Sequence, residues 1–181
     1  MMKKVRSVTG IKDVYSKRIL TNVIGKDPVK VLAATPRRLK NLVNGLSDRQ
    51  IRKSPTKGKW SIAQLVSHLS DAEVVLAFRL RMAVAQSGSF LQAMDEQKWA
   101  KGLNYQNANV KKKLELFATM RRDHLSMLKS LAPTKWQRYG RHEERGKETI
   151  ERMAQLYAGH DVNHLRQIEM IKRSLRRRAG K

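Results

Sequence analysis

Residues 150–171, IERMAQLYAGHDVNHLRQIEMI, set Ile150, Met153, Tyr157, His160, His164, Gln167 or Ile168, and Ile171 at alternating steps of three and four. That spacing is one buried face of a helix. His160 and His164 therefore fall on the core side, one turn apart, with their imidazoles pointing the same way. Two imidazoles in a core are costly unless every ring nitrogen has a partner, and protonating both would set like charges together in low dielectric. A divalent metal answers both demands, because neutral imidazole is its commonest nitrogen ligand and H-x-x-x-H offers two within one turn. Two hydrogen-bonded core histidines would satisfy the same pattern, so a third ligand has to decide between the readings.

Working outward, Ser61 and Gln64 form a capping box that starts a helix with Ile62, Leu65, Leu69, Ala72, Leu76, Leu80 and Ala83 on its apolar face, ending near Ser87 and Gly88. His68 lies one turn from both Leu65 and Ala72 and so borders or enters that face, which makes it the candidate third ligand. Between Gly88 and Asn107 runs a connection of roughly twenty residues, a length that suggests a crossover along a bundle rather than a tight hairpin. The next helix, from about Asn107 to Leu131, buries Leu114, Phe117, Leu125, Leu128 and Leu131 and has Pro133 beyond its end. Arg121 falls on that stripe, where it either pairs with a buried carboxylate or reaches into a pocket. His124 sits to the side of the stripe as a boundary histidine, and His142 belongs to a charged surface loop, RHEERGK. Thr149 caps the final helix.

Toward the start of the chain, Asp27-Pro28 is a helix-start signal that Thr35-Pro36 repeats. Either one helix kinks at Pro36, or a short turn gives way to a helix from Pro36 to Leu46 that buries Leu39, Leu42, Val43 and Leu46. Four helices then make one all-α domain, residues 27–175. Residues 1–26, with Ile11, Val14, Tyr15, Ile19, Val23 and Ile24 diluted among polar and basic residues, read as a loosely docked basic extension, and residues 176–181 as a basic tail.

A chain of 181 residues accommodates one full core. It has no cysteine, so a disulfide framework and a thiolate metal site are both excluded, and any metal must sit on His, Asp or Glu. The formal net charge of +24 suggests an anionic partner such as nucleic acid. Against this, the basic residues crowd the two ends, and the aromatic residues, 6% of the chain, do not interleave with them as base-stacking platforms would; solvated charge is the favoured reading. No apolar run approaches the ~18 residues of a membrane span, and no signal-peptide core follows Lys3 and Lys4, so the expected location is cytoplasmic.

With GKWSIAQLVSHLSDAE at residues 58–73, Thr35-Pro36 before the first apolar run, Arg121 on the third helix, and Gly146 and Thr149 ahead of HDVNH, the chain resembles the DinB/YfiT-like family of metal-binding four-helix bundles, from about Pro28 to Leu175. The resemblance implies an up-down-down-up bundle with the long crossover between its second and third helices. It also implies that His68, His160 and His164 hold one divalent ion, zinc or nickel, at one end of the core, and that the protein is a homodimer. Members of the family are labelled metal-dependent hydrolases, and some transfer or isomerise substrates with low-molecular-weight thiols; both are expectations here. Three neutral ligands leave coordination positions open for a water or a thiolate. No catalytic residue is identifiable, but Asp71, Glu73, Asp161 and Arg121 are candidates for holding the ligands in place, with an Asp71–Arg121 salt bridge as the structural alternative. The contrasting class is a non-enzymatic protein whose basic ends bind nucleic acid or another anionic partner.

Overall fold

The structure is a computed structural model and describes residues 2–179. Asp13 caps a short helix α1, Val14–Thr21, accepting the Ser16 amide at 2.6 Å. Asp27 caps α2, Pro28–Val43, by accepting the Val29 and Lys30 amides, and Pro28 occupies the first turn, where its missing N–H costs nothing. Of the two readings of Pro36, the continuous helix is found. Proline 36 cannot donate to the carbonyl of Leu32, four residues back, and that carbonyl instead accepts a guanidinium N–H of Arg121 at 3.0 Å. A one-and-a-half-turn helix α3, Asp48–Arg52, follows, and then the Ser61/Gln64 capping box starts α4, Ile62–Ala85.

The crossover has structure of its own: a strand β1, Ser89–Leu91, a helix α5, Glu96–Gly102, and a 3-10 turn at Tyr105–Asn107. Asn109 caps α6, Val110–Ser130. The charged segment expected as a surface loop is a hairpin, β2 Tyr139–His142 and β3 Gly146–Thr149, with β1 added parallel to β2. Gly146, at φ +72°, makes the turn possible, and Gly140 lets Leu91 pack flat on the strand, since a Cβ there would fall 2.3 Å from Leu91 Cδ1. Thr149 then caps α7, Ile150–Ala179, through the Arg152 amide. Helices α2, α4, α6 and α7 form the up-down-down-up bundle, with α2 and α4 each packed against both α6 and α7. Among the described residues no helix is long and apolar enough to cross a membrane.

Two apolar clusters fill the bundle, one around Leu32, Leu76, Leu80, Leu128, Ile150 and Met153, the other around Leu39, Ile62, Leu65, Phe117, Leu165 and Ile168. Between them lies a polar layer of Glu73, Arg121, His124 and Asp161, all 1% exposed. The expectation of a loosely docked extension over residues 1–26 is corrected: Val5, Ile19, Leu20 and Val23 belong to the first cluster. Helix α1 lies so close on α7 that a Cβ at Gly159 would fall 2.3 Å from the Ile19 carbonyl oxygen. Residues 3–5 are tied down as well, through Glu151 to the Lys3 amide and Gln155 to the Lys3 carbonyl, and a bridge joins Val5 to Ile24. These apolar residues were hard to weigh in the sequence because the helix that carries Ile19 and Leu20 has only 8 residues, too few to show a period, and Val5 and Val23 lie outside it. At the other end, α7 runs on to Ala179, so the basic residues from Arg176 to Arg178 extend a helix.

Candidate metal centre

His68 stands in the second turn of α4, set there by the Ser61 cap, and His160 and His164 stack one turn apart in the middle of α7, beside the polar layer rather than at an end of the core. The three are brought together as expected. His160 Nε2 lies 2.9 Å from His68 Nε2 and 3.0 Å from His164 Nε2. Gln167 Oε1 accepts the Nδ1–H of His164 at 2.8 Å, which fixes that tautomer and leaves its Nε2 lone pair facing the other two rings. Trp60 packs on the far side of His68, with ring centroids 5.1 Å apart.

Burial keeps all three imidazoles neutral. It lowers His68 to about 3, with a further push from His164, and His164 to about 4 in spite of the Gln167 hydrogen bond. His160 falls well below the ordinary histidine value, through burial first and then the two neighbouring rings. Three neutral Nε2 atoms at this spacing cannot satisfy one another. A proton on His160 Nε2 serves one neighbour only, and the remaining lone pair is buried against its fellows. One cation receiving all three lone pairs removes the conflict, and these atoms lie close enough together to share it. The donor set is thus what a divalent ion that accepts nitrogen ligands requires.

The carboxylates expected to hold the imidazoles do something else. Glu73 takes a two-pronged bond from Arg121 at 2.7 Å and the Nδ1–H of His124 at 2.6 Å. Asp161 takes the other side of the same guanidinium at 2.6 Å. Burial would raise the Glu73 carboxyl, but Arg121 and His124 outweigh it and hold it below its ordinary value; for Asp161 burial prevails and the value is raised. Asp71 is not bonded to Arg121 but to Lys113, at 2.6 Å. Arg121 therefore follows the first of its two readings, the buried pair. His124, expected at the boundary, is buried inside this network.

A cavity of about 380 Å³ opens beside the histidine trio, walled by Tyr15 and Arg18 of α1, Arg79 of α4, Tyr157 of α7, and His142 and Arg145 of the hairpin. His142, expected at the surface, is 2% exposed, because strand alternation turns it inward. Burial, then Arg145 and Arg79, lower it to about 3. Glu96, at the start of α5, brings a carboxylate oxygen to 3.9 Å from His68 Nε2; burial, with Asp95, raises its value against the pull of Arg18. Neither residue carried a signal in the sequence, since each is placed by a connection too short or too irregular to have a period. Gln167 did carry one: it is three residues beyond His164 on the same face.

The model of the DinB superfamily matches residues 32–168. A protein of Oceanobacillus iheyensis named "Putative metal-dependent hydrolase" is 30% identical over 152 residues, 84% of this chain and 88% of its own. A protein of Halalkalibacterium halodurans with the same name is 26% identical over 141 residues, 78% of this chain and 82% of its own. Among solved structures, YfiT from Bacillus subtilis, described as "a probable metal-dependent hydrolase with an unusual four-helix bundle topology", matches with a TM-score of 0.77 at 23% identity, over 82% of this chain and 85% of its own. At that identity the likeness speaks for the fold.

Proposed function

Since the chain belongs to the DinB superfamily, we propose that His68, His160 and His164 hold one divalent metal ion and that the adjoining cavity is the active site of a metal-dependent hydrolase. The observation that carries this is the meeting of three neutral Nε2 atoms that cannot satisfy one another. A bound ion with three neutral nitrogen ligands keeps its full charge and supplies Lewis acidity and an acidified water at its open positions. The chain's own residues do the rest. Gln167 orients His164, and Trp60 walls off His68 on the far side from the cavity. Glu96, next to the trio with its affinity for protons raised, is placed to take a proton from the attacking group and return it to the leaving group.

A second reading is favoured by the cavity's size and by the absence of cysteine. About 380 Å³ has room for two reactants, and a sulfur nucleophile would have to come from a low-molecular-weight thiol. Zinc and nickel are the proposed ions for either reading. The test is a panel of ester, amide and phosphoester substrates, run with and without a small thiol, before and after chelation. Turnover that disappears with the chelator and returns with zinc or nickel supports the metal enzyme; dependence on the thiol selects transfer over hydrolysis. Turnover indifferent to chelation contradicts both.

A further inference from the structure

Two arginines of the described chain are buried to 5% exposure or less, Arg121 and Arg79. Arg121 is paired with two carboxylates, Glu73 and Asp161. Arg79 has none: among the described residues no carboxylate oxygen comes within 4.0 Å of it. Its guanidinium is held by the Gln92 carbonyl at 2.5 Å and, loosely, by the Tyr157 hydroxyl at 3.5 Å, both uncharged. A buried cation without a counter-ion costs several times what a paired one does, so its place in the fold calls for an anion from elsewhere.

A second buried donor lies in the same cavity. The Glu144 amide donates to His142 Nδ1 at 3.2 Å, so this neutral imidazole carries its proton on Nε2. That Nε2 is buried and has no hydrogen-bond partner in the protein. The acids in the cavity wall are placed otherwise: Asp13, whose charge reaches His142, caps α1, Glu144 is exposed, and Glu96 stands at the histidine trio. Tyr157 links the two regions, with its hydroxyl at Arg79 and its ring centroid 6.1 Å from that of His160.

We propose that Arg79 and His142 form an oxyanion-recognition subsite, which selects small molecules carrying a carboxylate or phosphate group and directs the remainder of the molecule along Tyr157 toward His68, His160 and His164. Arg79 supplies the charge and a flat pair of donors, and His142 supplies a fixed N–H. The subsite deepens the proposed function by naming the substrate class, and it rests on that reading only for which bond is broken; the anion site stands or falls by itself.

The test is isothermal titration calorimetry of the full-length protein with inorganic phosphate and, separately, with succinate. Wild type is compared with Arg79→Gln, Arg79→Lys, His142→Leu, the metal-ligand variant His160→Ala and, as a surface control, Arg37→Gln, which is exposed. At least one anion is expected to bind wild type and Arg37→Gln with the same affinity. Binding should weaken about tenfold or more in Arg79→Gln, recover in part in Arg79→Lys, and weaken about fivefold in His142→Leu. Whichever anion binds tells carboxylate from phosphate. Binding unchanged in Arg79→Gln, or lost in His160→Ala while kept in Arg79→Gln, overturns the subsite, as does a wild type that binds neither anion. Metal content of the same samples is read in parallel, so an absent metal sinks the catalytic reading without touching the anion site. Circular dichroism separates an unfolded variant from a folded one that has lost affinity, and His142→Leu, on another element, tests the subsite if Arg79→Gln does not fold.

Discussion

At the scale of single residues, the chemistry divides between groups that are neutral because they are buried and groups that are charged although they are buried. Glu96 is half-way between, with a carboxylate oxygen 3.9 Å from His68 Nε2 and exposed enough to stay in contact with water. Replacing it by Gln should cut turnover by about 10²–10⁴-fold while leaving metal content unchanged, as measured by steady-state kinetics beside elemental analysis. Arg121 is the opposite case. Without it, two carboxylates, Glu73 and Asp161, face one another in the core. Arg121→Leu should destabilise the fold by about 3–5 kcal/mol, read from the urea midpoint, and adding Glu73→Gln and Asp161→Asn should recover much of the loss. His142 sets a pH dependence. Its folded value, about 3, lies below the ordinary histidine value of 6.5. As pH falls between these two, the unfolded chain takes up a proton that the folded chain refuses, so stability falls with falling pH. His142→Leu should flatten that fall by up to about 1.4 kcal/mol per pH unit between roughly pH 6 and 4, and an unchanged slope in urea melts across that window would count against the burial of this ring.

At the scale of elements, Pro36 and Arg121 are one device. Proline frees the Leu32 carbonyl in the middle of α2, and a guanidinium from α6 takes it up, which pins two helices together at the level of the polar layer. The other close fit is α1 against α7. At Gly159 the backbone of α1 occupies the space of a side chain, and the next residue is a member of the histidine trio. Gly159→Ala should push α1 away, lower the melting temperature by several degrees and loosen the cavity wall formed by Tyr15 and Arg18; a crystal structure or hydrogen exchange of residues 14–21 would detect it. Deleting residues 1–26 should cost more, since Ile19, Leu20 and Val23 leave the core with them.

The long helices were legible in the sequence because each has a cap and an apolar stripe several turns long: Ser61 with Gln64, Thr149, and the spacing of Ile150 to Ile171 all found their places. So did the meeting of His68 with His160 and His164. What was not legible is what short elements decide. Strands of 3 and 4 residues cannot display alternation, and so the inward turn of His142 was invisible; the crossover's path, which delivers Glu96, leaves no period at all. The partners of Asp71 and Glu73 were misjudged for another reason. They lie two residues apart, about 200° around the helix, so only one of them can face Arg121, and the sequence does not say which until the helix is oriented.

At the scale of the molecule, a formal charge of +24 surrounds an interior that is built for near neutrality, with Arg121 balanced by two carboxylates and four imidazoles held uncharged. Two places break that balance: the histidine trio, where three neutral Nε2 atoms meet, and Arg79, which has no carboxylate oxygen within 4.0 Å among the described residues. Both line one cavity. The measurement that bears most directly on the whole is metal content per chain after dialysis at neutral pH, by elemental analysis of wild type and of His160→Ala after incubation with zinc and with nickel. About one ion per chain in wild type and none in the variant, with both still folded by circular dichroism, is the expected result. Equal metal content in the two proteins, or none in either, would contradict it, because the described residues hold no other cluster of nitrogen ligands that could take the ion.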